Sequence, residues 1–591
     1  MADYFGTSAA DKLLRYRTVA SALVRDRNSF EAHWRELSDY LLPRRSRWTL
    51  SDRNQGDPRN QKIIDSTGRF AVRTLQSGLH AGLTSPARPW MKLTTPDPDL
   101  ARLPAVKSWL SIVTTRMLVV FQQTNLYNCL PLLYGDMGVF GTGCMGVVED
   151  TKDLFRCYSY PIGTYALGLD KRGLASSFVR NYQLSVRQVV EDFGLAADGR
   201  TIDWTKLSMR VKTAWERSAY EEPVDLTWLV LPNPAADAAK LEARYKPWAS
   251  CHWEDGGDEG KFLRESGFDT FPVLAPRWEI TGEDTYGTDC PGMTALPDIK
   301  QLQSQQKSKA KAIQKQIDPP VMAPNALRTQ KTSLLPGDIT YVDVPTGMQG
   351  MRSIHEVALN LHDFLEDVGQ TQNRIRRAFF EDLFLMLANS DDSRGAQPIT
   401  AREVAERHEE KLLALGPVLE RTNDELLEPL IDRVFQMMVS AKLVPDAPPE
   451  LQGVNIKAEY TSIMGQAQKL VGVVGLDRFM GSATAMEQSF PGIVKNKINF
   501  NRVVDIYGES LGVDPSIIRS DEDADALAAA EAQAQQKAMQ ADQAAKMAGA
   551  MKDASQTPMD GDTALARLVG GVTGQQPGQA GMPSPSPMGA S

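Results

Sequence analysis

The sequence predicts an α+β chain in which helices predominate, and three observations carry that reading. In the first 297 residues, amphipathic helical segments alternate with short runs of aromatic and β-branched residues bounded by glycine and proline. From residue 298 to 440 the apolar residues keep helical spacing over segments far longer than the usual ~11–12 residues. From Asp521 to Lys552 an Ala/Gln-rich stretch reads as one more helix.

Along the chain, Ser8 to Leu42 is helical, with Phe30, Trp34, Leu37 and Leu41 on one stripe and Pro43 as the stop. The following Arg44, Arg45 and Arg47 form a basic loop, able to touch phosphate but more simply read as solvated. Asp65 to Leu83 is a second helix with Phe70, Leu75 and Leu79 expected inside, and the breaker cluster Gly82 to Pro89 leads into a strand at Trp90 and Leu93. Val106 to Tyr134 is a third helical region, closed by the glycines from Gly135 to Gly146. Strands are expected at Met145–Glu149, Arg156–Pro161, Tyr165–Leu169 and Ser176–Arg180, with a turn at Lys171-Arg172-Gly173. Val186 to Phe193 is a short helix ended by Gly194. Further strands are expected at Leu226–Leu231, Tyr245–Trp253 and Phe271–Ile280.

The middle of the chain has the most distinctive pattern. A Lys/Gln-rich helix from Ile299 to Ile317, on the order of 30 Å long, carries a narrow seam of Leu302, Ala310, Ile313 and Ile317. Lys307, Lys311 and Lys315 stand at i, i+4, i+8 on a separate face. Pro319 to Met322 and Ile339 to Val344 read as short strands in an insert too small to fold alone. A second helix opens on a Ser353–Glu356 capping box. Its Ile354, Val357, Leu361, Phe364, Val368 and Ile375 follow the 3–4 rhythm of lengthwise packing, with Asp363, Glu366 and Asp367 off the seam. Two such polar helices cannot bury themselves within one subunit; they make sense if copies pack side by side in a ring. After the small polar loop Ala388 to Gln397, which holds Asp391, Asp392 and Arg394, a third helix opens at Thr400. It is expected to kink at Gly416-Pro417 and at Pro429, where backbone donors are missing. The Gly/Pro/Ser/Met-rich tail from Ser555 is expected to be disordered.

Bulk properties narrow the function. At 591 residues, 42% hydrophobic and 24% charged, the chain has the composition of a folded protein of three or four domains or one elongated subunit. No run reaches the ~18–20 apolar residues of a membrane span, and no secretory signal opens the chain, so cytosolic residence is expected. Five cysteines without a CxxC fit buried free thiols. A net charge of −9 disfavours tight phosphate binding yet suits a protein that lets nucleic acid pass.

The tempting motifs lack their contexts. Gly141-Thr142-Gly143-Cys144-Met145-Gly146 matches a dinucleotide fingerprint, but helix precedes and strand follows, the reverse of what pyrophosphate binding needs. Gly508-Glu509-Ser510-Leu511-Gly512 matches a nucleophile elbow, but every histidine lies before Ser510. There is no P-loop and no H-E-x-x-H, and His355 and His362 read as a solvated or inter-subunit face. No cofactor, metal or catalytic site is expected.

Five segments together resemble the head-to-tail connector (portal) proteins of short-tailed bacteriophages. They are HWRELSDYLLPRRSRW (33–48), LQSGLHAGLTSPARPWMKL (75–93), VFGTGCMGVVED (139–150), FPVLAPRWEITGEDTYGTDCPGMTALPDIK (271–300) and TAREVAERHEEKLLALGPVLERTNDELLEPL (400–430). The resemblance spans most of residues 1–515. It implies a ring, usually of twelve, at one capsid vertex, made of wing, stem, clip and crown regions around a double-stranded DNA channel. Carried over, 1–297 is the α+β wing, 298–318 the first stem helix, 319–346 the clip and 347–387 the second stem helix. Residues 388–397 become the tunnel loop, 398–440 a long kinked wing helix, 441–515 wing and crown, 516–552 the crown helix and 553–591 the tail. The large terminase, then a tail adaptor, would meet the clip, with the major capsid and scaffolding proteins as further partners and no membrane. The subunit would belong to the virion, after assembly in the host cytoplasm. The DNA-channel candidates are Lys307, Lys311, Lys315, Asp363, Glu366, Asp367, Asp391, Asp392 and Arg394. A packaging enzyme and a tail-tube or capsid building block are the competing readings.

Overall fold

The computed structural model describes residues 9–52, 54, 56–196, 198–257, 261–317, 321–322, 352–353, 361–384, 415–451, 456–460, 479–483, 485–486, 498, 502–504, 506–507 and 521–555. The chain divides into two compact units, Met1–Ile498 with Ile506–Val513, and Asn499–Asp505 with Asp514–Ser591. In the second, the helix Asp521–Ser555 has no apolar face, and its described side chains are almost all exposed.

In the first unit the predicted stripe on α1 (Ala9–Tyr40) faces the core: Trp34, Leu37 and Leu41 are buried, and Trp34 donates its indole N–H to the Phe140 carbonyl at 3.1 Å. Helix α2 (Thr67–Leu83) buries Ala71, Val72, Leu75 and Leu79, but Phe70 is 60% exposed, contrary to expectation. The small Ala71 and Val72 take the inward position next to it. Strand β1 (Met91–Thr94) and the short helix α3 (Pro98–Arg102) follow. The third helical region is two helices, α4 (Pro104–Gln123) and α5 (Leu126–Phe140). They part at Asn125, whose side-chain amide exchanges two 2.8 Å hydrogen bonds with the backbone of Cys157. Helix α5 runs through the expected breakers Gly135 and Gly138 because α2 lies against them; a Cβ on Gly138 would come within 2.4 Å of the buried Leu75.

At the dinucleotide-like motif the predicted helix-to-strand turn is present. Gly141 caps α5 at φ +78° with its backbone against Gly287, and β2 (Met145–Asp150) starts at once. Strands β3 (Leu154–Ser159), β4 (Tyr165–Leu169) and β5 (Ala175–Ser185) come next, then α6 (Val186–Phe193), opened by a Ser185–Gln188 capping box and ended at Gly194. Helix α7 (Met209–Glu216) and strand β8 (Arg264–Phe268) are additions to the sequence reading; β6 (Pro223–Pro232) and β7 (Trp248–Glu254) match it. The strand expected over Phe271–Ile280 shrinks to β9 (Val273–Leu274), since Pro272 and Pro276 remove ladder donors on both sides. An antiparallel five-stranded sheet runs β4-β5-β6-β7-β8, and a three-stranded one runs β3-β2-β9.

Helix α8 (Pro291–Ile317) begins eight residues before the predicted start. Strand β10 (Val321–Met322) pairs antiparallel with β11 (Arg352–Ser353). Ser353 is thus a strand residue paired with Val321, not a demonstrated cap; Glu356, Ile339–Val344, Ile354 and Val357 lie outside the described residues. Helix α9 (Leu361–Ala378) returns along α8. The tunnel-loop residues and the opening of the third helix at Thr400 also lie outside the described residues, as do the Ser510 motif and the tail beyond Ser555; residues 553–555 of the expected tail instead end the helix Asp521–Ser555. From residue 415 the third helix is helical and passes through a π-helical turn, Asn423–Leu427, before continuing as Glu428–Ser440. The widened turn sits directly before Pro429, where an expected kink site lacks its N–H. Strand β12 (Lys457–Tyr460) pairs antiparallel with β1, joining this late segment to the N-terminal half.

One apolar cluster joins α1, α2, α4, α5, the three-stranded sheet, the base of α8, α9 and the helix Glu428–Ser440. All five cysteines are free and buried, as expected.

Candidate functional site

Helices α8 and α9 form an antiparallel hairpin. Its register is set by Arg374, which donates to Asp298 at 3.1 Å, and by the Gln305 amide, which donates to Asp367. Near the base, Ile299, Leu302, Val368, Thr371 and Ile375 are buried. Toward the far end this cover stops: Ala310 is exposed, Ile313 half-buried, and Ile317 78% exposed. Among the described residues, the predicted seam of α8 is covered only at its root.

The root itself is held by polar groups. Gln303 is buried, and its Oε1 accepts from the backbone N–H groups of Ile64 (2.6 Å) and Asp65 (2.8 Å), while its Nε2 donates to the Asp65 carbonyl (3.0 Å). The Asp65 carboxylate accepts from Gln306 and Gln372, each at 2.9 Å, and from the Thr67 N–H at 2.8 Å. Partial burial opposes ionisation of Asp65, but the Thr67, Gln372 and Gln306 donors outweigh it and hold the carboxyl below its ordinary range. Sequence reasoning missed this joint: it gave the glutamines of α8 no partner, and nothing local marks Asp65 as their acceptor.

Lys307, Lys311 and Lys315 are all exposed on α8. Asp363, Glu366 and Asp367 are exposed on α9 but do not act alike. Asp367 is engaged by Gln305 across the hairpin, and Glu366 accepts a 3.5 Å bond from Gln370 on its own helix. The six candidates thus share one hairpin, with cations on one helix and carboxylates on the other. Asp391, Asp392 and Arg394 lie outside the described residues.

Two ion pairs escaped the sequence reading. Arg45, read as part of a solvated basic loop, instead grips the buried Asp136 and donates to Ser159 at 2.8 Å, tying the loop after α1 to α5 and β3. Arg277 and Glu425 are both almost fully buried and pair side-on. The remaining Arg277 donors reach the carbonyls of Asp284 (2.8 Å) and Gly173 (2.6 Å). This pair floors a cleft of about 730 Å³ between the 170–174 turn and residues 417–425. Each charge of the pair already satisfies the other.

Residues 14–518 match the family model described as bacteriophage head to tail connecting protein. The chain is 43% identical over 551 residues to the portal protein of Salmonella phage epsilon15, covering 93% of this chain and 97% of that one. It is 41% identical over 494 residues to the probable portal protein of Bordetella phage BPP-1, covering 83% and 86%. Among solved structures, the neck of an empty GTA particle aligns with 70% of this chain and 86% of its own at 11% identity and a TM-score of 0.31, too low to carry any argument. The chain belongs to the bacteriophage head-to-tail connecting protein family and is a portal, or head-tail connector, subunit.

Proposed function

We propose that copies of this chain, twelve in number, close into a ring at one capsid vertex, and that double-stranded DNA passes through its centre during packaging and ejection. The observation that carries this reading is the hairpin of α8 and α9, whose apolar seam runs beyond the cover that the described residues supply, with Ile317 exposed at its far end. Such a seam is stabilised when neighbouring copies lie alongside. Residues 1–297 and the third helix then form the wing, the hairpin the stem, 319–346 the clip and the C-terminal helix the crown. The clip receives the large terminase and later the tail adaptor, while the wing faces the major capsid and scaffolding proteins. The chain works as a structural channel of the virion, assembled in the host cytoplasm without a membrane, and not as an enzyme.

A ring of copies carrying −9 each repels DNA over most of its surface. Screening over ~8 Å in physiological salt confines that repulsion to the wall. Sparse cations in such a wall let a polyanion slide without sticking. Lys307, Lys311 and Lys315, the carboxylates Asp363, Glu366 and Asp367, and the loop residues Asp391, Asp392 and Arg394 are the groups proposed to border the channel or its seams. Negative-stain images of the purified chain test the architecture: rings with a central hole are expected, and compact monomers overturn it. Stacked tubes or sheets without a discrete ring favour a tail-tube or capsid building block instead. The double variant Lys311→Glu/Lys315→Glu should form rings yet alter DNA packaging or retention; unchanged packaging and retention remove both lysines from the wall.

A further inference from the structure

The two edges of the hairpin are chemically different and lie at matched heights. Asp298 stands opposite Arg374 and Gln305 opposite Asp367, so each step up α8 is a step down α9. Lys307 therefore lies level with Leu365 and Glu366, within about one 1.5 Å helical rise. At about 100° per residue, Lys307 projects from the α8 edge pointing directly away from α9. By the same rotation Leu365 and Gly369 project from the α9 edge pointing away from α8, with Glu366 beside them. Leu365 is 46% exposed, and nothing lies within 4 Å of where a Cβ on Gly369 would sit. Lys307 has no ion-pair partner among the described residues. Nearer the root, the basic residues on both edges are already neutralised within the chain, Lys300 by Glu36 and Arg376 by Glu381.

We propose that these edges meet between neighbouring copies, the Lys307 edge of one hairpin against the Leu365–Gly369 edge of the next, with the Lys307 ammonium on the neighbour's Glu366. This rests on the ring reading above and names the contact that closes it. The aliphatic stem of Lys307 covers Leu365 while its charged end reaches the carboxylate. Gly369 leaves room for the neighbouring helix to approach. Because the two edges are different surfaces on opposite sides of one hairpin, the contact is head-to-tail and repeats around a closed circle. An edge that joins an apolar side chain to a carboxylate suits a lysine-bearing helix of the same chain and repels DNA. Lys311 and Lys315 turn progressively off the edge toward the polar face of the hairpin, which leaves them for the channel.

The test uses the full chain. Lys307→Glu and Glu366→Lys, each of which places like charges at every seam, should weaken assembly measured by sedimentation, by roughly two- to five-fold per interface. The double variant Lys307→Glu/Glu366→Lys should recover it. Separately, Lys307→Cys/Glu366→Cys should give a ladder of cross-linked oligomers with a short bismaleimide that spans the gap left by the two long side chains, because the native thiols are buried. Single variants that assemble like the parent, a double variant no better than either single, or a cysteine pair that yields no ladder would each overturn the pairing while the parent still forms rings. A parent chain that forms no ring overturns both the pairing and the reading beneath it.

Discussion

Replacing Glu425 by alanine should loosen the joint between the third helix and the segment around Arg277 far more than loss of one surface contact would. The Glu425 carboxylate accepts from the Arg277 side chain through Nε and Nη2 and from the Arg277 backbone N–H at 2.8 Å. Alanine removes all of these acceptors and leaves a guanidinium, with its side chain 5% exposed, facing two carbonyls and no counter-charge. Breaking one partner of a buried pair costs about 3–5 kcal/mol, mostly for the charge left behind. At about 1.4 kcal/mol per factor of ten, local opening becomes roughly 10²- to 10³-fold more frequent. Hydrogen exchange of peptides covering residues 415–440 reads that opening directly. The double variant Arg277→Met/Glu425→Leu, which removes both charges, should restore most of the protection. Exchange altered less than about three-fold in the single variant, or a double variant that exchanges faster still, would refute the account of Arg277 and Glu425 as a mutually dependent buried pair.

Two further outcomes follow from the root of the hairpin and from the thiols. The folded-state pKa of Asp65 is depressed, so its contribution is present above the ordinary carboxylate value of about 3.9 and is lost as pH falls through the lower folded value. Proteolysis of the α8 region should therefore accelerate below about pH 4 in the parent chain, whereas Asp65→Asn should already be more susceptible at pH 7 and change less on acidification. Burial pushes all five thiols upward, Cys251 and Cys290 to about 12, so the native chain should take up almost no thiol reagent at pH 8. The same chain in denaturant should take up five equivalents; stoichiometric labelling of the folded form contradicts their burial.

Local signals carried most of the first 297 residues. The stripe on α1, the capping box before α6 and the alternating strands from Met145 to Trp253 can be read from short windows because period and turn chemistry agree there. What the windows could not show was set by distant partners. Phe70 fits an amphipathic helix but loses its inward place to Ala71 and Val72, and Gly138 reads as a breaker until Leu75 is laid against it. Arg45 looks like solvated charge because Asp136 is 91 residues away. In the hairpin, spacing correctly separated the three lysines from the seam. The acceptor that gathers Gln306 and Gln372 sits on a third segment more than 200 residues earlier, so the joint at Asp65 had no sequence signature.

The pairing of Met91–Thr94 with Lys457–Tyr460 has a temporal meaning. At ~5–20 residues per second, a ribosome that has made the first strand needs roughly 20–70 s more to deliver its partner. Until then Trp109 also lacks the Pro445 carbonyl that its indole reaches at 3.0 Å, and Arg433, which anchors to Val147, has not been made. A prematurely terminated chain thus keeps an open seam on its largest apolar core, and only a polypeptide translated past Tyr460 can shut it.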